Sequence, residues 1–201
     1  MPLNPLALPQ ARLEYDPQWL DQAESEALFA QLRVELAWDV HRITLFGRQV
    51  DSPRLSCWIG DSDAGYRYSG TYFHPHPWPT TLLPIRARLA RDLGIGFNSV
   101  LANLYRSGAD AMGWHSDDER ELGAEPTIAS VSLGATRKFV LKHRQQADRK
   151  LALELTPGSL LVMSGGTQRH YRHALPRTRR AIGERINLTF RCVSAKDASR
   201  A

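Results

Sequence analysis

Arg185-Ile186-Asn187-Leu188-Thr189-Phe190-Arg191 is the stretch on which the fold of this chain turns. Side chains of an extended strand alternate between faces, so Ile186, Leu188 and Phe190 line one side and Arg185, Asn187, Thr189 and Arg191 the other. The apolar side calls for a packed layer beneath it. The polar side holds two guanidinium groups, an amide and a hydroxyl, the set that a small diacid would need, because planar guanidinium grips carboxylate with two parallel hydrogen bonds. The competing reading of this segment alone is a solvated face of an edge strand.

Working outward, short β-rich runs recur at about 99–105, 127–133, 138–143, 151–155, 160–163 and 171–175, with turn chemistry such as Thr156-Pro157-Gly158-Ser159 between them. This predicts a mainly β protein with flanking helices, its strands wound as a double-stranded β-helix, or jelly-roll barrel. Asp16-Pro17 reads as N-cap and first position of a helix over about 17–33, and Thr80 or Thr81 caps a second that stops at Gly94. The run from Trp38 to Phe46, a turn at Gly47 and the run Leu55–Ile59 read as a hairpin. Residues 60–79 read as a loop dense in aromatics, either docked on the core or held out for a ligand. One domain over 1–201 is expected: an N-terminal extension to about residue 95, a catalytic core over about 96–193 and a polar tail at 194–201.

The chain has 201 residues, 42% hydrophobic and 23% charged, an ordinary globular composition with no apolar run long enough to cross a bilayer. Prolines interrupt the opening MPLNPLALPQ, so no export signal is expected. Cys57 and Cys192 stand far apart without metal-type spacing, which favours reduced thiols. The net charge of +5 favours a polyanionic partner.

Metal chemistry is suggested by Trp114-His115-Ser116-Asp117-Asp118-Glu119, which reads as a loop. In extended backbone a His-x-Asp pair projects both side chains to one face, so His115 and Asp117 can hold one cation, with His170 or His173 as third ligand. Two imidazoles and a carboxylate on one side of Fe(II) leave positions open for other ligands, whereas a structural zinc site wants four closed ligands and usually cysteine. Most His-x-Asp pairs bind nothing. Asp118 and Glu119 read either as surface acids in a turn or as acceptors for the exocyclic amine of a base.

Taken together, the His-x-Asp pair, the distant histidine and the arginine strand resemble the AlkB family of Fe(II)/2-oxoglutarate-dependent dioxygenases, the nucleic-acid dealkylases, over most of the chain. The resemblance implies iron ligands at His115, Asp117 and His173, with His173 preferred to its neighbour His170. It implies 2-oxoglutarate contacts from Asn103 and Tyr105, from Arg185 to the distal carboxylate, from Arg191 to the carboxylate beside the oxo group, and from Asn187 and Thr189. Leu45-Phe46-Gly47-Arg48, Asp117–Leu122 and Ile128–Gly134 are similar to the members that repair duplex DNA. Phe46 stands where these insert an apolar wedge, and Tyr66 and Tyr68 of Tyr66-Arg67-Tyr68-Ser69-Gly70 where they stack the damaged base, with Asp118 and Glu119 offsetting its charge. The extension before residue 95 is then a nucleotide-recognition lid, with Arg42, Arg48, Arg54 and Arg67 on phosphates.

The implied reaction uses Fe(II), O2 and 2-oxoglutarate to demethylate bases of the 1-methyladenine and 3-methylcytosine type in single- or double-stranded DNA, and in RNA, releasing formaldehyde, succinate and CO2. A base must leave the duplex to reach such a site, at a few kcal/mol, least for a lesion that pairs badly. The implied protein is a monomer with no membrane partner, cytoplasmic, or nuclear in a eukaryote. Two other readings stand beside it: a 2-oxoglutarate-dependent hydroxylase of a protein or small molecule, and a non-catalytic nucleic-acid-binding β-barrel, which leaves the paired arginines unexplained.

Overall fold

Two antiparallel sheets face each other. The computed structural model of the protein describes residues 3–40, 42–45, 48–68 and 71–194, with 42–45, 48–49, 66–68 and 71–73 as backbone only. In chain order the strands are β1 (Asn4–Leu6), β2 (Arg12–Asp16), β3 (Arg42–Leu45), β4 (Arg48–Asp51), β5 (Leu55–Gly60), β6 (Tyr66–Tyr68), β7 (Thr71–Phe73), β8 (Ser99–Tyr105), β9 (Met112–His115), β10 (Ile128–Gly134), β11 (Arg137–His143), β12 (Lys150–Leu155), β13 (Leu160–Ser164), β14 (Tyr171–Leu175) and β15 (Arg185–Arg191). The helices are α1 (Gln22–Glu35), α2 (Leu83–Leu93) and a single turn, α3 (Thr167–His170). The large sheet runs β1-β2-β13-β10-β15-β8-β5 and the small one β12-β11-β14-β9, the jelly-roll arrangement expected.

β15 sits inside the large sheet, paired with β10 on one side and β8 on the other, which is why all seven of its residues are buried. The edge-strand reading is thereby excluded. Its apolar side, Ile186, Leu188 and Phe190, joins a core with Leu28 and Leu32 of α1 and Ile85 and Leu89 of α2. Each such side chain contributes roughly 1.5–3 kcal/mol by leaving water. Its polar side faces the space between the sheets, around which a second core gathers Leu13, Ile128, Leu141, Leu161 and Tyr171.

Three expectations need correction. α1 begins not at Pro17 but after Asp21, whose carboxylate accepts from the Glu24 amide while Glu24 accepts from the Asp21 amide, a reciprocal pair that Asp16 lacks. Asp16 ends β2 and accepts instead from the amide of Gln18. The hairpin joins β3 to β4, and the chain, broken at Ser52-Pro53, then enters the large sheet as β5 beside β8. Third, the 60–79 loop contains a further hairpin, β6 with β7, and docks Trp78 against Phe190 and beneath the Arg86 guanidinium. The turn at Gly158 is as expected: at φ +77°, its position leaves 2.5 Å between an added Cβ and the Leu20 carbonyl oxygen.

The first sixty residues supply both edges of the large sheet, β1 at one and β5 at the other. No helix among the described residues is long and apolar enough to cross a membrane.

Candidate metal and co-substrate site

Between the sheets lies a cavity lined by Asn103 and Tyr105 from β8, His115 from β9, Asp117, Ser130 from β10, His173 from β14 and the four polar residues of β15. His115 closes the edge strand β9, a correction to the loop reading, and pairs in register with His173. That pairing places both imidazoles on the inward face of neighbouring strands. Their Nε2 atoms are 3.1 Å apart, and His173 Nε2 is 3.6 Å from Asp117 Oδ2. One ligand atom from each of the three residues falls within 4.8 Å of the others. His170, the alternative third ligand, ends α3 and stacks on His143 instead.

The donor set fits Fe(II). His115 Nδ1 lies 2.9 Å from the Gly113 carbonyl oxygen, which takes the ring proton at Nδ1 and leaves the Nε2 lone pair for an ion. Burial holds the His173 imidazole far below the usual histidine range, at about 3, so this ring is a neutral donor at physiological pH. Burial pushes the Asp117 carboxyl up, but the Arg191 guanidinium and the two imidazoles outweigh it and hold it at about 2, as carboxylate. Two imidazoles and one carboxylate make the facial set that suits iron, and three ligands do not close a structural zinc site.

The opposite wall fits a diacid. Arg185 is fully buried, donates from Nη2 to Ser132 Oγ and Asn187 Oδ1, and has no carboxylate within ion-pair distance among the described residues. Among the described residues its Nε has no hydrogen-bond partner. Burial lowers this guanidinium to about 10, the mark of a cation held without an anion. Asn187 donates on to Thr189 Oγ1 and accepts from Ser130 Oγ, so the expected Asn187 and Thr189 form the chain that holds Arg185 in line. Arg191 is placed differently from expectation in one respect: its Nη2 donates to Asp117 Oδ1 at 2.5 Å, so it also braces a candidate metal ligand.

Arg54, expected on a phosphate, is buried and donates from Nε to Asn103 Oδ1 at 2.7 Å. With the amide oxygen so engaged, the NH2 end of Asn103 is left for an acid in the cavity. The residues are 49 apart in sequence and meet because β5 pairs with β8 in a register that sets Ser56 against Asn103. Gln168 and Arg144 also went unread in the sequence. Gln168 Oε1 accepts from the Asp117 amide, and Arg144 binds Ser116 Oγ and the carboxylate of Asp118. Asp118 is therefore an exposed acid in an ion pair, and Glu119 opens the adjoining 3-10 turn. No signal in a single sequence marks the role of Gln168 or Arg144, or the pairing of Arg54 with Asn103. Phe46 and Ser69 lie outside the described residues, and Arg48, Tyr66 and Tyr68 are placed by backbone alone, in β4 and β6.

Comparison with known proteins agrees with this geometry. Residues 12–191 match the family model described as the 2OG-Fe(II) oxygenase superfamily. The chain is 37% identical to DNA oxidative demethylase ALKBH2 of Mus musculus over 85% of this chain and 75% of that protein. It is 38% identical to ALKBH2 of Homo sapiens over 85% and 69% of the two chains. It is 36% identical to alpha-ketoglutarate-dependent dioxygenase alkB homolog 3 of Bos taurus over 88% and 64%. A solved structure titled "The structure of OsALKBH1" superposes with a TM-score of 0.62 at 17% identity, covering 95% of this chain and all of the other, which shows the shared fold. The chain therefore belongs to the 2OG-Fe(II) oxygenase superfamily and, within it, to the AlkB family.

Proposed function

We propose that the protein oxidatively removes N-linked alkyl groups from bases in DNA, using Fe(II), O2 and 2-oxoglutarate. The observation that carries the proposal is a three-donor cluster and a buried, anion-less Arg185 on facing walls of one cavity. Several relatives at 36–38% identity are named for DNA demethylation or for 2-oxoglutarate use. When bound, the iron and co-substrate supply the oxidising power that hydroxylates the alkyl carbon, with 2-oxoglutarate leaving as succinate and CO2 and a methyl group as formaldehyde.

The chain's own residues do the positioning. His115, Asp117 and His173 hold the metal, Arg191 keeps Asp117 ionised and oriented, and Gln168 pins the Asp117 backbone. Arg185 takes the distal carboxylate of the diacid, and Asn103 and Tyr105 line its path. Met112, Phe139, Met163 and Leu175 complete the lining with apolar surface, which strengthens every polar contact within and keeps water out.

A nucleic-acid substrate is supported by the net charge of +5 and by exposed Arg177, Arg179 and Arg180 on the connector between Leu175 and Arg185, both of which line the cavity. All metal and diacid donors come from one chain, which supports action as a monomer. The thiols of Cys57 and Cys192 are free, in keeping with a reducing cytoplasmic or nuclear setting.

Protein supplied with Fe(II), ascorbate and 2-oxoglutarate is expected to release formaldehyde from oligonucleotides bearing 1-methyladenine or 3-methylcytosine, with a ribo-oligonucleotide arm to test RNA. Turnover of 2-oxoglutarate with none of the methylated polymers, but with a protein or small molecule, would replace this reading by the hydroxylase one.

A further inference from the structure

The outer side of the small sheet carries a feature for which the oxygenase site has no use. Residues opposed in antiparallel register share a face, so Lys150, Lys142 and Arg172 form one row across β12, β11 and β14, pointing away from the cavity. All three are exposed, and the row spans about 10 Å at the usual strand spacing. Among the described residues none of the three has a carboxylate within ion-pair distance. Glu154, the acid on this face, stands opposite Lys138 instead.

Beside the row, at the open edge of the sheet, is Trp114. Its neighbour His115 points inward, so its own ring points out, and it is 46% exposed, the one aromatic among the exposed large apolar side chains of the described residues. The Lys142 ammonium lies 4.7 Å from its ring centroid. A tryptophan in water adds nothing to a core, and three adjacent cations without counter-charges repel one another. An indole face flanked by a basic row on a flat sheet is what an unpaired base with its phosphates requires: stacking for the ring, ammonium and guanidinium for the backbone.

We infer that the outer face of the small sheet is a second binding site for single-stranded nucleic acid, with a base stacked on Trp114 and the adjoining phosphates held by Lys142, Lys150 and Arg172. The inference deepens the proposed function and rests on it for the identity of the polymer. The two sides of β9 then act on one strand, the inner holding the metal against the lesion and the outer gripping unpaired nucleotides farther along. Substrates long enough to reach both are preferred over short ones and over blunt duplex.

The test uses the whole protein and two variants outside the cavity, Trp114→Leu and the double variant Lys142→Glu/Lys150→Glu, with labelled dT12 as binding probe. Trp114→Leu is expected to raise the Kd for dT12 about tenfold, with Trp114→Phe restoring most of it. The charge reversals should flatten its salt dependence. For a methylated 15-mer, KM should rise in step while kcat holds, and turnover of a methylated trinucleotide should not change. Unaltered dT12 binding by both variants, with demethylation intact, overturns the second site and leaves the demethylase reading standing. Trp114-dependent binding of dT12 by a protein that demethylates nothing supports the site and sinks the demethylase. Loss of trinucleotide turnover in Trp114→Leu shows a ring that merely props His115 and also overturns the inference, as does preferential rescue of binding by an acidic peptide over dT12.

Discussion

The two walls of the cavity handle charge in opposite ways. On the small-sheet side, His115 and His173 stand with Asp117, on the chain just after β9, whose carboxylate faces the His173 imidazole and is paired with Arg191. On the large-sheet side, Arg185 is as deeply buried yet meets, among the described residues, only hydroxyls, an amide and the Tyr105 ring. Burying a cation without an anion is expensive, so such an arrangement persists where a ligand completes it. The candidate metal wall is thus organised by the protein itself, whereas the wall proposed for the co-substrate offers a buried cation to an anion.

That contrast breaks most sharply at the metal. His115→Ala or Asp117→Ala removes one of three donors and should abolish formaldehyde release, a loss of at least about a thousandfold, with iron uptake falling in parallel. On the other wall, Arg185→Gln should raise KM for 2-oxoglutarate roughly a hundredfold while iron binding is retained. Equal damage to iron and to co-substrate affinity would show that the walls are not separable. Arg54→Ala should act more mildly, about tenfold on the same KM, because it frees the Asn103 amide to turn without removing a contact to the diacid. An unchanged KM would reduce Arg54 to a structural role.

Per pH unit, the expected effect on stability is no larger than a tenfold change in an equilibrium, and it carries a definite sign. His173 is lowered by burial from its ordinary 6.5 to about 3, so between these values the unfolded chain binds a proton that the folded chain refuses. Stability of the metal-free protein is therefore fully present above about pH 6.5 and falls as the pH drops towards 3, by up to about 1.4 kcal/mol per pH unit for one proton. Asp117, lowered from 3.8 to about 2, adds a loss only below about pH 4. Urea titrations in chelator should show the slope, and His173→Gln should flatten it above pH 4.

How far these walls could be read in advance differs between them. The polar side of β15 was legible because strand alternation is a local rule, and Arg185, Asn187, Thr189 and Arg191 do share one face of a strand with the expected ends. The His-x-Asp pair was legible for the same reason, although the segment proved to be strand up to His115 where a loop was expected. An arginine near a basic, aromatic stretch reads as surface, so Arg54 is expected on a phosphate, yet it is buried. Its burial follows from β5 joining the large sheet, a pairing to which the residues between 60 and 99 give no local sign.

What the sequence by itself determined are the properties set by neighbours along the chain: which side chains share a face, where a turn such as Thr156-Pro157-Gly158-Ser159 falls, and which residue types can ligate iron or grip a carboxylate. What only the tertiary structure decided is convergence. That His173 rather than His170 meets His115, that Arg54 orients Asn103, that Gln168 and Arg144 brace the metal-bearing segment, and that Trp114 stands beside three cations on an outer face all depend on pairings between distant strands. Such pairings are chosen by the burial of two whole sheets at once, a sum over the entire core that no single stretch of residues contains.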